Sequence, residues 1–167
     1  MKKLVIIFSI SFLSIVIDQL TKIYIHTSFM LGESIEVIPN FFNITFVKNP
    51  GAAFGILAES YGMLRVAMLL AVPTIVTVFI FIYIIRTYKR NYGEAVAYSF
   101  ILGGAISNLV DRFRLGFVVD FLDFHYDRVY TWPAFNIADS SVFIGASLIL
   151  YFSFFDKKPM KSASSIG

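Results

Sequence analysis

The chain has no cysteine, which excludes disulfides and thiolate metal sites together. Histidine occurs twice, as His26 and His125. No third ligand stands at a recognisable spacing from either, so a metal site is not expected. Charge is scarce as well. Asp, Glu, Lys and Arg make up 15% of the chain, where a soluble globular protein carries about 25%. The net charge of +3 is modest, and its basic residues read as membrane flanks instead of a nucleic-acid patch. No internal repeat is visible, which disfavours the inverted-repeat transporters.

What the sequence has in excess is apolar. Hydrophobic residues reach 57% of the 167, and the mean hydropathy is +0.76. They fall in four runs, Leu4 to Ile25, Gly62 to Ile85, Gly93 to Phe113 and Phe135 to Phe155. Each has the roughly 20 residues that a helix needs to cross about 30 Å of hydrocarbon. Arg65 and Pro73 interrupt the second, and a bilayer helix tolerates such a proline where neighbours re-satisfy the backbone. Met1-Lys2-Lys3 before the first run could open a signal peptide. No small-x-small site follows, so an uncleaved helix is expected.

Lys2 and Lys3, then Arg86, Lys89 and Arg90, then Lys157, Lys158 and Lys161 fall on one side of a four-span layout. The positive-inside rule makes that side cytoplasmic, with both termini there. The connections 27–61 and 114–134 then lie outside. The first, with "SIEVIPNFFNITFVKNPGAAFGIL", holds β-formers between turn residues. The second, with "FVVDFLDFHYDRVYTWPAF", reads as a loop whose aromatics suit the membrane interface. The expected fold is an all-α membrane protein of four transmembrane helices. A small β-rich extracytoplasmic segment, about 33–58, lies between helices 1 and 2. Residues 1–156 form one domain, and 157–167 form a basic cytoplasmic tail.

The unusual polar residues gather at the outer helix ends. Asp18 and Lys22 share a face of helix 1. Asn108, Asp111 and Arg112 lie near the exit of helix 3, and Asn136 and Asp139 on the entry turns of helix 4. Asn49 and Asp120 stand in the outer connections. A charge at the centre of a spanning helix costs about 2.5–3.5 kcal/mol, less toward the ends, so such groups generally pair or serve a site. Bland readings exist for each. Asp18 with Lys22 and Asp111 with Arg112 read first as structural ion pairs. Asn108 can hydrogen-bond a neighbouring helix. Asp139 can be a carboxylate favoured by the helix dipole. Asp120, Asp123 and Asp127 can be ordinary loop acids. Ser140 and Ser141 lack a base partner, and Gly103-Gly104 reads as a close helix contact. The combination points further, because Asp120 and Asp139 flank one outer connection. Two close carboxylates tend to share a proton, and such a dyad can activate water and protonate a leaving amine.

Five stretches in order, "DQLTK" (18–22), "KNPGAAFGIL" (48–57), "GGAISNLVDR" (103–112), "VVDFLDF" (118–124) and "FNIADSSVFIG" (135–145), give the chain a resemblance to the lipoprotein signal peptidases. The resemblance to this signal peptidase II family covers nearly the whole chain. It implies an aspartic endopeptidase of the bacterial inner membrane, with catalytic residues Asp120 and Asp139. Supporting positions are Asp18, Lys22, Asn49, Asn108, Asp111, Arg112 and Asn136. Asn108 and Asn136 would orient the dyad or substrate, Asp111 and Arg112 would hold the site together, and Asn49 would touch substrate. The implied substrate is a diacylglyceryl-modified prolipoprotein cut just before its lipidated cysteine, and the implied inhibitor is globomycin. No cofactor, metal or nucleic acid is implied; membrane lipid is the surrounding partner, and a monomer is expected. A proton-coupled transporter and a non-enzymatic assembly factor are the competing classes. The first is disfavoured because the charges cluster on one membrane side.

Overall fold

The computed structural model describes residues 2–51, 62–127 and 129–155. Residues 52–58 of the expected β-rich segment and the whole basic tail, 157–167, lie outside the described residues. Helix α1, Lys2–Ser28, runs longer than its apolar core. Strands β1, Ser34–Ile38, and β2, Phe42–Asn49, follow as a hairpin. The second apolar run forms α2, Met63–Val66, a π-helical turn, Ala67–Ala71, and α3, Val72–Thr87. Helix α4 is Tyr92–Leu115, and α5 is Ile137–Phe155. Four helices are thus long and apolar enough to cross a membrane, as the four runs predict.

The π-helical turn has a local cause. Pro73 carries no N–H, so the α ladder must break one turn before it. The Val72 N–H instead reaches back five residues to the Ala67 carbonyl, and Pro73 then sits in the first turn of α3, where no N–H is needed. Helix α4 is bounded by signals the sequence carries. The Asn91 side chain accepts from the Glu94 N–H at 3.4 Å, and Gly116, at φ +78°, closes the helix with its N–H on the Arg112 carbonyl.

The connection between α4 and α5 departs from the loop expected there. It forms β3, Val118–Tyr126, and β4, Tyr130–Thr131. Strand β3 joins the hairpin, giving the order β1-β2-β3-β4. Val47 stands opposite Asp120 and Asn49 opposite Val118, with a bulge on β2 between Ile44 and Val47. Asp120 and Asp123 are therefore strand residues, held in register by β2, and only Asp127 of the three lies in the turn. The sheet is built from the connection between α1 and α2 and the connection between α4 and α5 together.

Helix α4 is the hub, packed against α1, α3 and α5. A core of Ile7, Ile84, Ala95 and Leu102 fills the end away from the sheet. A second core of Ile25, Phe46, Val119 and Phe121 joins the end of α1 to the sheet. Side chains such as Phe12, Phe79 and Phe143 remain exposed on the outside of the bundle, the surface that hydrocarbon covers. Gly103 and Gly104 let α4 approach two helices at once. A Cβ on Gly103 would stand 2.8 Å from the Ser11 carbonyl, and one on Gly104 would collide with the Ala138 carbonyl. Gly104→Ala should therefore lower thermal stability in detergent by about 1–3 kcal/mol or more. Gly116→Ala, where only the positive φ opposes a side chain and nothing lies within 4 Å, should cost about 1 kcal/mol. Equal melting shifts for the two variants would count against a tight α4–α5 seam.

Candidate active site

The site begins inside α1. Asp18 and Lys22 are one turn apart and almost fully buried. The Lys22 ammonium lies 2.7 Å from the Asp18 carboxylate and 3.1 Å from that of Asp111 on α4. Its third bond goes to Asn108 Oδ1 at 2.7 Å, so all three ammonium protons have acceptors. The pair expected between Asp111 and Arg112 does not form. Adjacent residues on a helix point about 100° apart, and Asp111 turns inward to Lys22.

Each carboxylate also accepts a backbone amide. Asp18 Oδ1 accepts the Ala138 N–H at 2.8 Å, and Asp111 Oδ2 accepts the Val119 N–H at 3.1 Å. These are the residues immediately before Asp139 and Asp120. Ser107 Oγ donates to Asp18 at 2.7 Å, and Gln19 Nε2 donates to Asp111 at 2.8 Å. Neither Ser107 nor Gln19 stands out in the sequence. Each neighbours a residue that does, Gln19 beside Asp18 and Ser107 beside Asn108, and four-residue spacing also puts Ser107 on the Asp111 face.

Asn136 joins the two candidate acids. It precedes α5, and its Oδ1 accepts the Asp139 N–H at 2.9 Å while Asp139 Oδ2 accepts the Asn136 N–H at 3.2 Å. This reciprocal pair is a capping box, so Asp139 does serve the helix end. Its other oxygen accepts from Asn108 Nδ2 at 2.8 Å. Asn136 Nδ2 donates to Asp120 Oδ1 at 2.6 Å, and Asn49 Nδ2 donates to Asp120 Oδ2 at 3.0 Å. All four carboxylate oxygens thus accept an N–H, and each keeps a lone pair for a proton or a water.

Asp120 is 2% exposed. Burial first, and the nearby charge of Asp139 second, push its pKa up to about 7. Arg112 closes the other side, donating to the Gly51 carbonyl at 3.1 Å and to that of Asn108 at 3.4 Å. Its Nε is buried with no partner among the described residues. All nine candidate residues thus meet in one network. His26 stands apart, edge-on to Phe46 and Phe117, and Ser141 bonds Ser14 on α1. Among the described residues no three His, Cys, Asp or Glu group as a metal ion would require.

Comparison with known proteins follows the same lines. The family model for signal peptidase (SPase) II matches residues 10–155. A lipoprotein signal peptidase of Syntrophus aciditrophicus (strain SB) is 43% identical over 163 residues, covering 97% of this chain and all of the relative. One from Shewanella sp. (strain MR-4) is 46% identical over 144 residues, 84% of this chain and 81% of the relative. A bacterial membrane enzyme solved by the in meso method at 2.3 Å superposes with a TM-score of 0.75 at 36% identity, over 95% of this chain and 93% of the other.

The burial of Lys22 makes a sharp expectation. Lys22→Met would leave Asp18 and Asp111 buried without their counter-charge, a defect worth about 3–5 kcal/mol. Thermal unfolding in detergent should show a large loss for this variant and almost none for the exposed Lys89→Met. A Lys22→Met protein as stable as wild type would show that the ammonium is not what compensates the two acids.

Proposed function

The chain belongs to the signal peptidase II family, and from that premise we propose that it is an aspartic endopeptidase acting on diacylglyceryl-modified prolipoproteins. It is a multi-pass membrane protein, and its family processes the signal peptides of lipoproteins. In our reading the cut falls just before the lipidated cysteine, with Asp120 and Asp139 as the catalytic pair. The observation that carries this reading is Asn136, which bonds both acids at once. Both lie beside amides gripped by the same ion cluster.

In the proposed reaction the pair holds one proton, carried by Asp120 below about pH 7. Asp139, as carboxylate, takes a proton from water, whose oxygen forms a bond to the scissile carbonyl carbon. Asp120 gives its proton to the carbonyl oxygen as the tetrahedral intermediate forms. On collapse the C–N bond breaks, the amine nitrogen takes the proton held by Asp139, and the hydroxyl proton returns to Asp120. Products are the signal peptide's carboxylate end and an amine on the lipidated cysteine. Lys22, Asn108 and Asn136 orient Asp139, while Asp18 and Asp111 fix the backbone at each acid. Arg112, bonded to the Gly51 and Asn108 carbonyls, holds the site together, and Asn49, bonded to Asp120, is the residue assigned to substrate. Helix α5 is apolar behind Asp139, which suits a substrate bond near a membrane surface. We place that surface at the outer leaflet of the bacterial inner membrane, with both termini cytoplasmic, on the distribution of Lys and Arg. Globomycin is the expected inhibitor of the same pair.

Purified protein, given a diacylglyceryl-modified prolipoprotein, should release its signal peptide. Asp120→Asn and Asp139→Asn should each reduce the rate by at least about 10³-fold. Cleavage that survives both substitutions would remove the dyad from the mechanism. The pH dependence has a definite sign. Asp120 acts as the acid, so kcat/KM should fall as pH rises through about 7, where its proton is lost. A rate that stays level across neutrality would assign the proton elsewhere.

A further inference from the structure

Strand β3 does more than hold Asp120. Alternation puts Asp120, Leu122, Phe124 and Tyr126 on one of its faces. Tyr130 of β4 stands opposite Tyr126, and the Trp132 N–H bonds the Phe124 carbonyl at 2.9 Å, which continues the register one pair inward. Two cross-strand pairs, Tyr126 with Tyr130 and Phe124 with Trp132, therefore lie side by side on the face that carries Asp120. An open cleft of about 550 Å³ is lined by Phe41, Phe124, Tyr126, Val129, Tyr130 and Trp132, among others. The outer members are strongly exposed, Tyr126 at 69%, Tyr130 at 75% and Trp132 at 60%. A soluble surface rarely concentrates such residues so closely.

Their place in the chain limits what can cover them. Trp132 is five residues before Ile137, the first residue of the membrane-spanning α5. Five extended residues reach no more than about 18 Å, so the hairpin cannot stand far from the mouth of that helix. The apolar surface is also continuous. Phe135, at that mouth, stacks on Phe124 at 5.8 Å between ring centroids. Phe124 in turn stacks on Phe42 and meets Phe41 edge-on. A path of rings thus leads from the lipid-covered bundle to the hairpin. Tyr and Trp, with an apolar body and a polar tip, are the side chains that settle at headgroup depth.

We propose that the β3–β4 hairpin is a membrane-interface anchor, and that its aromatic face docks into the phospholipid headgroup region of the leaflet on the sheet's side. The strand that ends in this anchor also carries Asp120. Docking the hairpin therefore fixes the height of that carboxylate relative to the bilayer. Nothing in the proposal depends on the peptidase reaction.

Trp132 is the only tryptophan in the chain, so its fluorescence reports on the hairpin with no labelling. The full chain would be placed in nanodiscs of phosphatidylethanolamine and phosphatidylglycerol, with or without brominated acyl chains. Emission should be blue-shifted from that of free tryptophan. Bromine at the carbons nearest the glycerol should roughly halve it, and bromine near the chain ends should quench less, as for a ring at headgroup depth. In the Tyr126→Ser, Tyr130→Ser variant the emission should move to the red and become more open to aqueous acrylamide. Emission indifferent to brominated lipid, and quenched by acrylamide as freely as tryptophan in solution, would overturn the proposal. So would emission that ignores lipid but responds to an added prolipoprotein, which would assign the face to a polypeptide.

Discussion

One ammonium group, that of Lys22, lies between the carboxylates of Asp18 and Asp111. The arrangement is costly to assemble, because removing three charges from water incurs several kcal/mol each after relaxation. Mutual attraction repays that only when every remaining lone pair and proton is used. Here Ser107, Gln19 and Asn108 use three of them, and two more go to the Ala138 and Val119 amides. The cluster therefore ties α1 and α4 to the first turn of α5 and to the start of β3. A buried ion pair is weak evidence for stability as such. What it contributes here is a fixed spatial relation between two chain segments nineteen residues apart, each bearing an acid next to the clamped amide.

That relation removes the opposition between a structural and a chemical role for Asp139. One of its oxygens closes the capping box with Asn136, and the other meets Asn108. A cap normally lies in water. This one is stitched to a buried strand acid through the Asn136 amide, so the helix end and the proposed dyad share the same bonds. Capping immobilises the carboxylate, and immobilisation is what a general base needs before substrate arrives.

Much of this was legible in the sequence, for identifiable reasons. Long apolar runs have no stable alternative to spanning helices, and a charge inside such a run has few places to go but a partner. Hence Asp18, Lys22, Asp111 and Asp139 stand out. The strand at β3 did not, since "VVDFLDFHY" is as compatible with an aromatic interfacial loop as with a strand until β2, more than seventy residues earlier, supplies its partner. Long-range pairing leaves no local mark. The partner of Asp111 is hidden for a related reason. Proximity in sequence suggested Arg112, whereas helix geometry turns neighbours apart and the true partner comes from α1. Gln19 and Ser107 do not stand out as site residues, because polar, uncharged side chains in a bilayer helix are common and carry no charge penalty to betray them.

Helix arithmetic accounts for how three separate helices deliver these groups to one level. Asp18 lies sixteen residues after Lys2, the first described residue of α1, and Asn108 sixteen after Tyr92, the first of α4. Phe155, the last described residue of α5, lies sixteen after Asp139. At 1.5 Å per residue each interval spans about 24 Å, against about 30 Å of hydrocarbon. The three side chains thus stand at matching heights along the bundle, as the Ala138 N–H on Asp18 and the Asn108 amide on Asp139 require. Glycines at 103 and 104 then let α4 close laterally on α1 and α5, so equal height becomes contact. Height comes from helix length and contact from the missing Cβ atoms. The charged network can form only where both conditions meet, which is why it occupies a single layer of the bundle.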